Sequence, residues 1–123
     1  MRYAMMICVD EAAVEATSAE ASEGGMAEVY AWFEKWAGAG KVADGGAELQ
    51  SVRTAKTIRG AGADRTVTDG PFIETKEVLG GYWLVEAKSK EEIVKWAQRC
   101  PADEGDVIEI RQIFEVEDFA IRI

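Results

Sequence analysis

The chain has 123 residues, of which 48% are hydrophobic and 30% are charged, a composition typical of one globular domain and not of a disordered chain. Its net charge is −9 and its basic residues are scattered, so we expect no direct binding to nucleic acid. The sequence contains no histidine, which excludes Ser-His-Asp and Cys-His catalysis as well as His-ligated zinc or haem. Acid–base chemistry would therefore fall to Asp, Glu, Lys, Tyr or Cys.

The apolar segments are too short for a membrane protein. The longest apolar run, from Tyr3 to Val9, is far below the roughly 18 residues that a membrane-spanning helix needs. No small-residue cleavage site follows a sufficiently long apolar core, so we expect no signal peptide, no membrane association and a cytoplasmic location. Cys8 and Cys100 are too few for a four-ligand zinc site and are expected to be reduced and unpaired. Neither a metal nor a cofactor is predicted.

The first third of the chain predicts a strand followed by a helix. The nearly continuous apolar segment Arg2–Val9 is typical of a buried strand. Thr17-Ser-Ala-Glu20 has the pattern of a helix capping box. Because Gly24-Gly25 interrupts the helical pattern, the regular helix is predicted from about Met26, and it is expected to stop at Gly38-Ala-Gly40.

The middle of the chain predicts a strand and a hairpin. The segment Ala43–Gly46 is rich in turn-forming residues, and Glu48–Gln50 is expected to belong to a second strand. The segments Thr54–Arg59 and Arg65–Thr68 flank the glycine-containing loop Gly60–Asp64, which predicts a hairpin. The loop is not a dinucleotide-binding fingerprint, because its third glycine is missing and no helix follows.

The last part of the chain predicts a strand, a helix and a strand. Aromatic and β-branched residues over Gly80–Ala87 indicate a central strand. A second capping box, Ser89–Glu92, begins a helix that is expected to end before Pro101. The segment Asp106–Phe114 alternates between apolar and polar residues, as a strand does.

This order of elements predicts an α+β fold, a ferredoxin-like split βαβ sandwich with an inserted hairpin, in a single domain over residues 1–123. In such a fold both helices cover one face of an antiparallel sheet. The other face includes Ile113 and part of the segment 82–85, which are apolar. A second copy of the chain is the simplest cover for that face, so the sequence predicts a homodimer.

Candidate functional residues concentrate after the hairpin, in the segment Thr68-Asp-Gly-Pro-Phe72. Asp-Gly-Pro ends a strand well, because Asp accepts backbone N–H bonds, Gly permits positive φ and Pro blocks further pairing, so a purely structural role is one interpretation. In the other interpretation Asp69 is a catalytic acid or base, and the nearby Glu74 and Lys76 bind a ligand. Two close carboxylates and a lysine would separate the pKa values of the two carboxyl groups and so supply an acid and a base.

Two further residues are predicted to bind the ligand with this segment, Tyr82 and Arg111. The guanidinium of Arg111 matches a carboxylate or phosphate, and its position on the polar side of the last strand favours a place in a cleft. The alternative for Arg111 is an ion pair with a neighbouring strand. The four tryptophans are ligand platforms or, more simply, packing residues.

The segments Thr68-Asp-Gly-Pro-Phe72, Glu74-Thr-Lys-Glu77 and Leu79-Gly-Gly-Tyr82 resemble the signature of the DGPF branch of the YCII-related domain family. The segments Arg2–Ile7 and Ile108–Phe119 resemble the two ends of that family, so the resemblance covers essentially the whole chain. It implies a dimeric α+β barrel, in which two ferredoxin-like chains pack sheet against sheet with a cleft between or beside the sheets.

The resemblance implies no settled activity. Many family members are encoded near sigma factors of the extracytoplasmic-function type, which implies a link with regulation. The better-studied relatives carry a His and an Asp proposed as a catalytic pair, and this chain has no histidine, so that pair is absent here.

Two functions remain open at this point. In the first, a homodimer binds or transforms a small polar or anionic metabolite in a cleft near Asp69–Phe72, with Tyr82 and Arg111. In the second, a non-catalytic homodimeric partner or sensor acts in sigma-factor regulation through contact with another protein. The sequence leaves open whether the chain is an enzyme.

Overall fold

The computed structural model describes residues 1–16, 19–38, 42–101 and 105–117. The strands are β1 (Arg2–Asp10), β2 (Val42–Glu48), β3 (Lys56–Arg59), β4 (Thr66–Asp69), β5 (Glu77–Glu86) and β6 (Val107–Gln112). The α-helices are α1 (Glu11–Ala16), α2 (Ala19–Gly38) and α3 (Lys90–Ala97), and single 3-10 turns lie at Val52–Thr54 and Gly62–Asp64.

Four strands form an antiparallel sheet in the order β2-β5-β1-β6. The two central strands are thus the first and fifth along the chain, and each is followed by a helical segment, which is the split βαβ arrangement. Strands β3 and β4 form a separate two-stranded hairpin. The α+β class, the ferredoxin-like arrangement and the inserted hairpin are therefore confirmed.

The core lies on one face of the sheet, because alternate residues of a strand point to opposite faces. Tyr3, Met5 and Val85 of the central strands are fully buried there, against Trp36 of α2 and Ile93 of α3. An aromatic cluster extends this core and includes Trp32, Phe33, Trp83 and Trp96. Trp32, Trp36 and Trp96 thus have a packing role, whereas Trp83 packs against the core and also lines a cavity that is described below.

The helical segment after β1 differs from the sequence prediction. A short helix, α1, begins immediately after β1, because the Asp10 carboxylate accepts the N–H groups of Ala12 and Ala13 at 3.1 and 3.4 Å. Helix α2 begins at Ala19 and not at about Met26, so the two glycines lie inside it. Packing of α2 on the sheet outweighs the low helix propensity of glycine. The capping box predicted there begins at Thr17, which lies outside the described residues, as does Gly40.

Strand β2 also differs from the prediction. The segment Ala43–Gly46, which reads as a turn, lies inside β2. The pairing with β5 shifts register between Val42 and Gly45, and Gly45 has a φ of 69°. A bulge with glycine in the left-handed region accommodates turn-forming residues within a strand. Gly45 and Gly46 thus belong to an edge strand, whereas Leu49 and Gln50 lie beyond its end.

The capping box of α3 is as predicted. The Ser89 hydroxyl accepts the Glu92 N–H at 3.2 Å, and the Glu92 carboxylate accepts the Lys88 N–H at 2.9 Å. Both bonds satisfy backbone donors at the start of the helix.

Candidate functional site

Asp69 is the last residue of β4, and its side chain is 84% exposed. Its carboxylate forms an ion pair with Lys56, its partner directly across the hairpin. The following Gly70 has a φ of 92° and donates its N–H to the carbonyl of Ala55 at 2.7 Å. The motif thus ends the hairpin as a strand-terminating turn does.

The other four predicted site residues lie in two places. Glu74 and Lys76 are exposed in the loop that leads into β5, and the Lys76 ammonium is 4.0 Å from the Asp10 carboxylate. Tyr82 and Arg111 lie on β5 and β6 with β1 between them, on the face of the sheet that α2 and α3 do not cover. In the described part of the chain no hydrogen bond or ion pair joins Asp69 to Tyr82 or Arg111.

Arg111 forms no ion pair with any described residue. The residue opposite Arg111 on β1 is Ala4, which carries no charge. The cross-strand ion pair that was the alternative role for Arg111 is therefore not formed.

A cavity of about 580 Å³ lies on the other side of the sheet, between its helix-covered face and helices α1 and α2. Sequence reasoning did not find this cavity. Its apolar wall is formed by Ile7, Val9, Val14, Val29, Leu49, Trp83 and Ile108. Its polar and charged lining includes Glu11, Glu15, Glu28, Tyr30, Glu48, Ser51 and Asp106. These residues come from separate strands, helices and loops, so no local spacing in the sequence reveals them.

Helix α1 forms one side of the cavity and is tied to the segment after β2. Glu11 accepts hydrogen bonds from the Ser51 hydroxyl at 3.1 Å and from the Val52 N–H at 3.0 Å. One turn along, Glu15 forms an ion pair with Arg53. These contacts connect segments about 40 residues apart and hold the wall in place.

Gly25 of helix α2 lies at the cavity wall. A Cβ built on Gly25 has no heavy atom within 4 Å, so the space beside it is open. A local signal of the cavity in the sequence is therefore Gly25, a glycine inside a helix, where glycine costs about 1 kcal/mol relative to alanine.

Comparison with known proteins identifies the family. Residues 1–117 match the YCII-related domain. The chain belongs to the YCII-related domain family. It is also 36% identical over 98 residues to an uncharacterised protein of Rhizobium meliloti (strain 1021), an alignment that covers 80% of this chain and 78% of that protein. The resemblance seen in the sequence is thus confirmed at the level of the family.

In this YCII-related domain both cysteines are free thiols. Burial raises the pKa of the Cys100 thiol, which lies at the cavity wall, to about 11. The pKa of Cys8 is also raised, first by burial and then by the negative charges of Glu109 and Glu77. Because the thiolate is the reactive form, neither environment activates a nucleophile.

Metal-binding clusters and membrane-spanning helices are both lacking in the described residues of this YCII-related domain. These residues contain no group of three or more cysteine, aspartate and glutamate side chains that could hold a metal ion. None of the described helices is both long and apolar enough to cross a membrane.

Proposed function

We propose that this YCII-related domain is a homodimer that binds a small metabolite in the cavity between the sheet and helices α1 and α2. The observation that carries the binding proposal is the cavity itself. Its volume of about 580 Å³ lies within the range of roughly 300–1,000 Å³ that is usual for small-molecule sites. Its lining also has the usual character of such sites, a mostly apolar wall with a few polar groups.

The role predicted for Asp69 in ligand binding or acid–base chemistry stays a prediction. The cavity is favoured as the primary site because it is partly enclosed, whereas the Asp69 side chain is 84% exposed and paired with Lys56. An exposed carboxylate that is already paired with a lysine has less charge to offer a ligand. Glu74 and Lys76 follow Asp69 in the loop that leads into β5, whereas Tyr82 and Arg111 lie apart from that loop on the uncovered face of the sheet, so the ligand-binding roles predicted for these four residues also stay predictions.

A thermal-shift screen of a metabolite library tests the proposal, with wild type, Gly25→Leu and Asp69→Asn measured side by side. Leucine at 25 projects into open space at the cavity wall and improves the helix propensity, so the Gly25→Leu protein is expected to fold. We expect at least one metabolite to raise the melting temperature of wild type and Asp69→Asn but not of Gly25→Leu. A ligand at one hundred times its Kd stabilises a protein by about 2.7 kcal/mol.

The same screen contains the outcomes that contradict the proposal. Ligands that stabilise wild type and Gly25→Leu equally, but not Asp69→Asn, would move the site to the Asp69 loop. No stabilising ligand for the wild type would remove the binding proposal. Mass spectrometry of each bound ligand after incubation then shows whether it is converted, which separates an enzyme from a binding protein.

The homodimer is proposed from the uncovered face of the sheet. Ala4, Met6, Tyr82 and Leu84 lie on that face, next to each other across β1 and β5, and all are only partly buried. They form a contiguous apolar surface at the centre of the sheet, with Arg111 beside Ala4. A second copy of the chain would cover the same surface symmetrically, as a two-fold interface does.

Replacing Leu84 with glutamate is expected to convert the dimer into a monomer of about 13.5 kDa. Two symmetry-related carboxylates would be placed in the apolar centre of the interface, where taking a charge out of water costs several kcal/mol. Sedimentation velocity at micromolar concentration measures the change. Val94→Glu is the matched control, because Val94 is exposed on α3, on the opposite side of the sheet. A monomeric wild type, or a Leu84→Glu protein that remains dimeric, would contradict the proposal.

The regulatory function is the second candidate, and the hairpin favours it. Ile58 and Val67 face each other across β3 and β4 and are 62% and 65% exposed. Phe72 and Ile73, just beyond the hairpin, are also exposed. An isolated two-stranded hairpin is marginally stable, and an exposed apolar pair is typical of a surface that contacts another protein. A partner in sigma-factor regulation would be such a contact, and this function requires no ligand in the cavity.

A further inference from the structure

We propose that the cavity ligand is an organic cation, an amine with an apolar or aromatic body. This inference rests on the proposed binding function and adds the chemical class of the ligand. It differs from the sequence expectation of a polar or anionic metabolite, which placed Arg111 in the site. Arg111 lies on β6, on the uncovered face of the sheet and away from the cavity.

The cavity lining is acidic, which favours a cationic ligand. Five carboxylate side chains line the cavity, and no lysine or arginine is among the described residues that line it. Two of the five are occupied, because Glu15 pairs with Arg53 and Glu11 accepts hydrogen bonds from Ser51 and Val52.

Two other carboxylates are available to a ligand. Glu28 on α2 and Glu48 at the end of β2 have no hydrogen-bond or ion-pair partner among the described residues. Both residues are exposed, and they lie on different elements, so the lining carries negative charge from α2 and from β2. A cleft lined by one sign of charge with apolar walls concentrates ligands of the opposite sign and repels anions.

The cavity wall also contains aromatic rings, which favour a cationic ligand with an apolar body. Trp83 lies in the wall, and its indole is held by two neighbours. Phe33 stacks on it with ring centroids 3.7 Å apart, and Tyr30 meets it edge-on at 6.3 Å and 79°. Trp83 and Tyr30 both line the cavity. Electron-rich ring surfaces that are already oriented attract an ammonium group and also pack against an apolar ligand body.

The walls set the shape of this ligand. The apolar wall includes the half-buried Ile7, Val9 and Ile108 and the exposed Val14, and a bare metal ion or a fully hydrophilic polyamine would leave it uncovered. An ammonium group beside the carboxylates, attached to an aryl or alkyl body against the apolar wall, satisfies both parts of the lining. Charged groups and apolar surface within one cavity thus fit an amphipathic amine.

Three probes that share one phenethyl body test the inference by isothermal titration calorimetry: phenethylamine, phenethyl alcohol and hydrocinnamate. We expect phenethylamine to bind at least about tenfold more tightly than the alcohol, and hydrocinnamate to bind most weakly. The preference for the amine should fall as salt is raised from low to physiological concentration. Gly25→Leu should abolish binding of the amine, which places it in the cavity.

Charge-neutral variants identify the groups that produce the preference. Glu28→Gln and Glu48→Gln together should reduce the preference for the amine over the alcohol to less than about threefold. Glu34→Gln is the matched control, because Glu34 is an exposed carboxylate of the same helix that does not line the cavity. The Glu34→Gln protein should prefer the amine over the alcohol as strongly as the wild type does.

The outcomes separate this inference from the proposed function. The cation inference is wrong if the amine and the alcohol bind equally, or if hydrocinnamate binds more tightly than the amine. If Gly25→Leu then abolishes the binding of these probes, the cavity still stands as a binding site. If the amine binds the Gly25→Leu protein as tightly as the wild type, the inference of a cation site in this cavity is wrong. If none of the three probes binds the wild type, the cation inference fails, and the metabolite screen alone decides the proposed function.

Discussion

Gly46→Ala is expected to destabilise the protein by about 3 kcal/mol or more, the largest effect of any glycine substitution in the described chain. The added Cβ would overlap the carbonyl oxygen of Tyr82 and would lie 2.8 Å from the Cα of Trp83. Both atoms are backbone of the central strand β5, which cannot move without breaking its pairing with β1. The edge strand β2 would therefore separate locally from the sheet.

Urea denaturation at a fixed protein concentration measures this effect, since the stability of the proposed homodimer would depend on concentration. Gly24→Ala is the control with the same chemical change. Its Cβ meets open space in the middle of α2, so we expect a gain of about 0.5–1 kcal/mol from the higher helix propensity of alanine. A Gly46→Ala protein within about 1 kcal/mol of wild type would show that β2 does not approach β5 this closely.

Cys100 is expected to react with iodoacetamide at pH 8 about 100-fold more slowly than an unfolded cysteine. Its pKa is raised from 9.0 to about 11 by burial, so its thiolate is about 100-fold less abundant at this pH. The Cys8→Ser variant leaves Cys100 as the sole thiol, and mass spectrometry follows its alkylation. Cys100→Ser leaves Cys8, which should also react more slowly than the unfolded reference because its pKa is raised.

The same pKa shift predicts a direction for stability against pH. The folded protein holds the Cys100 proton more tightly than the unfolded chain does. This contribution to the free energy of unfolding is therefore fully present below pH 9 and is lost as the pH rises toward about 11. Between these values the stability of the Cys8→Ser protein should fall more steeply than that of the double variant Cys8→Ser, Cys100→Ala. Equal slopes, or rapid alkylation of Cys100, would contradict a buried, protonated thiol.

The sequence alone predicts the fold class well, for local reasons. Strand periodicity in the segments that became β1, β5 and β6, and the capping box at Ser89–Glu92, depend on neighbouring residues only. The hairpin follows from two short strands around Gly60–Asp64. The family signature around Asp69 is likewise contiguous, so the family could be identified without any structure.

The structure differs from the sequence prediction where tertiary contacts outweigh the local conformational preference of the chain. Gly24-Gly25 predicts a delayed helix, yet packing of the α2 aromatic residues on the sheet extends the helix through both glycines. Ala43–Gly46 predicts a turn, yet pairing with β5 draws it into a bulged strand. In both places the free energy comes from partners far away in the sequence.

What the sequence by itself determined is the family, the α+β class and the chemistry that is excluded, because the lack of histidine, the charge of −9 and the short-range patterns are all properties of the linear chain. Only the tertiary structure decided where these groups lie. It left Asp69 exposed beside Lys56, and it placed Tyr82 and Arg111 on the uncovered face of the sheet. It also assembled a cavity from β1, β5, α1 and α2, because a pocket forms from side chains that pack together across elements and not from residues that follow one another.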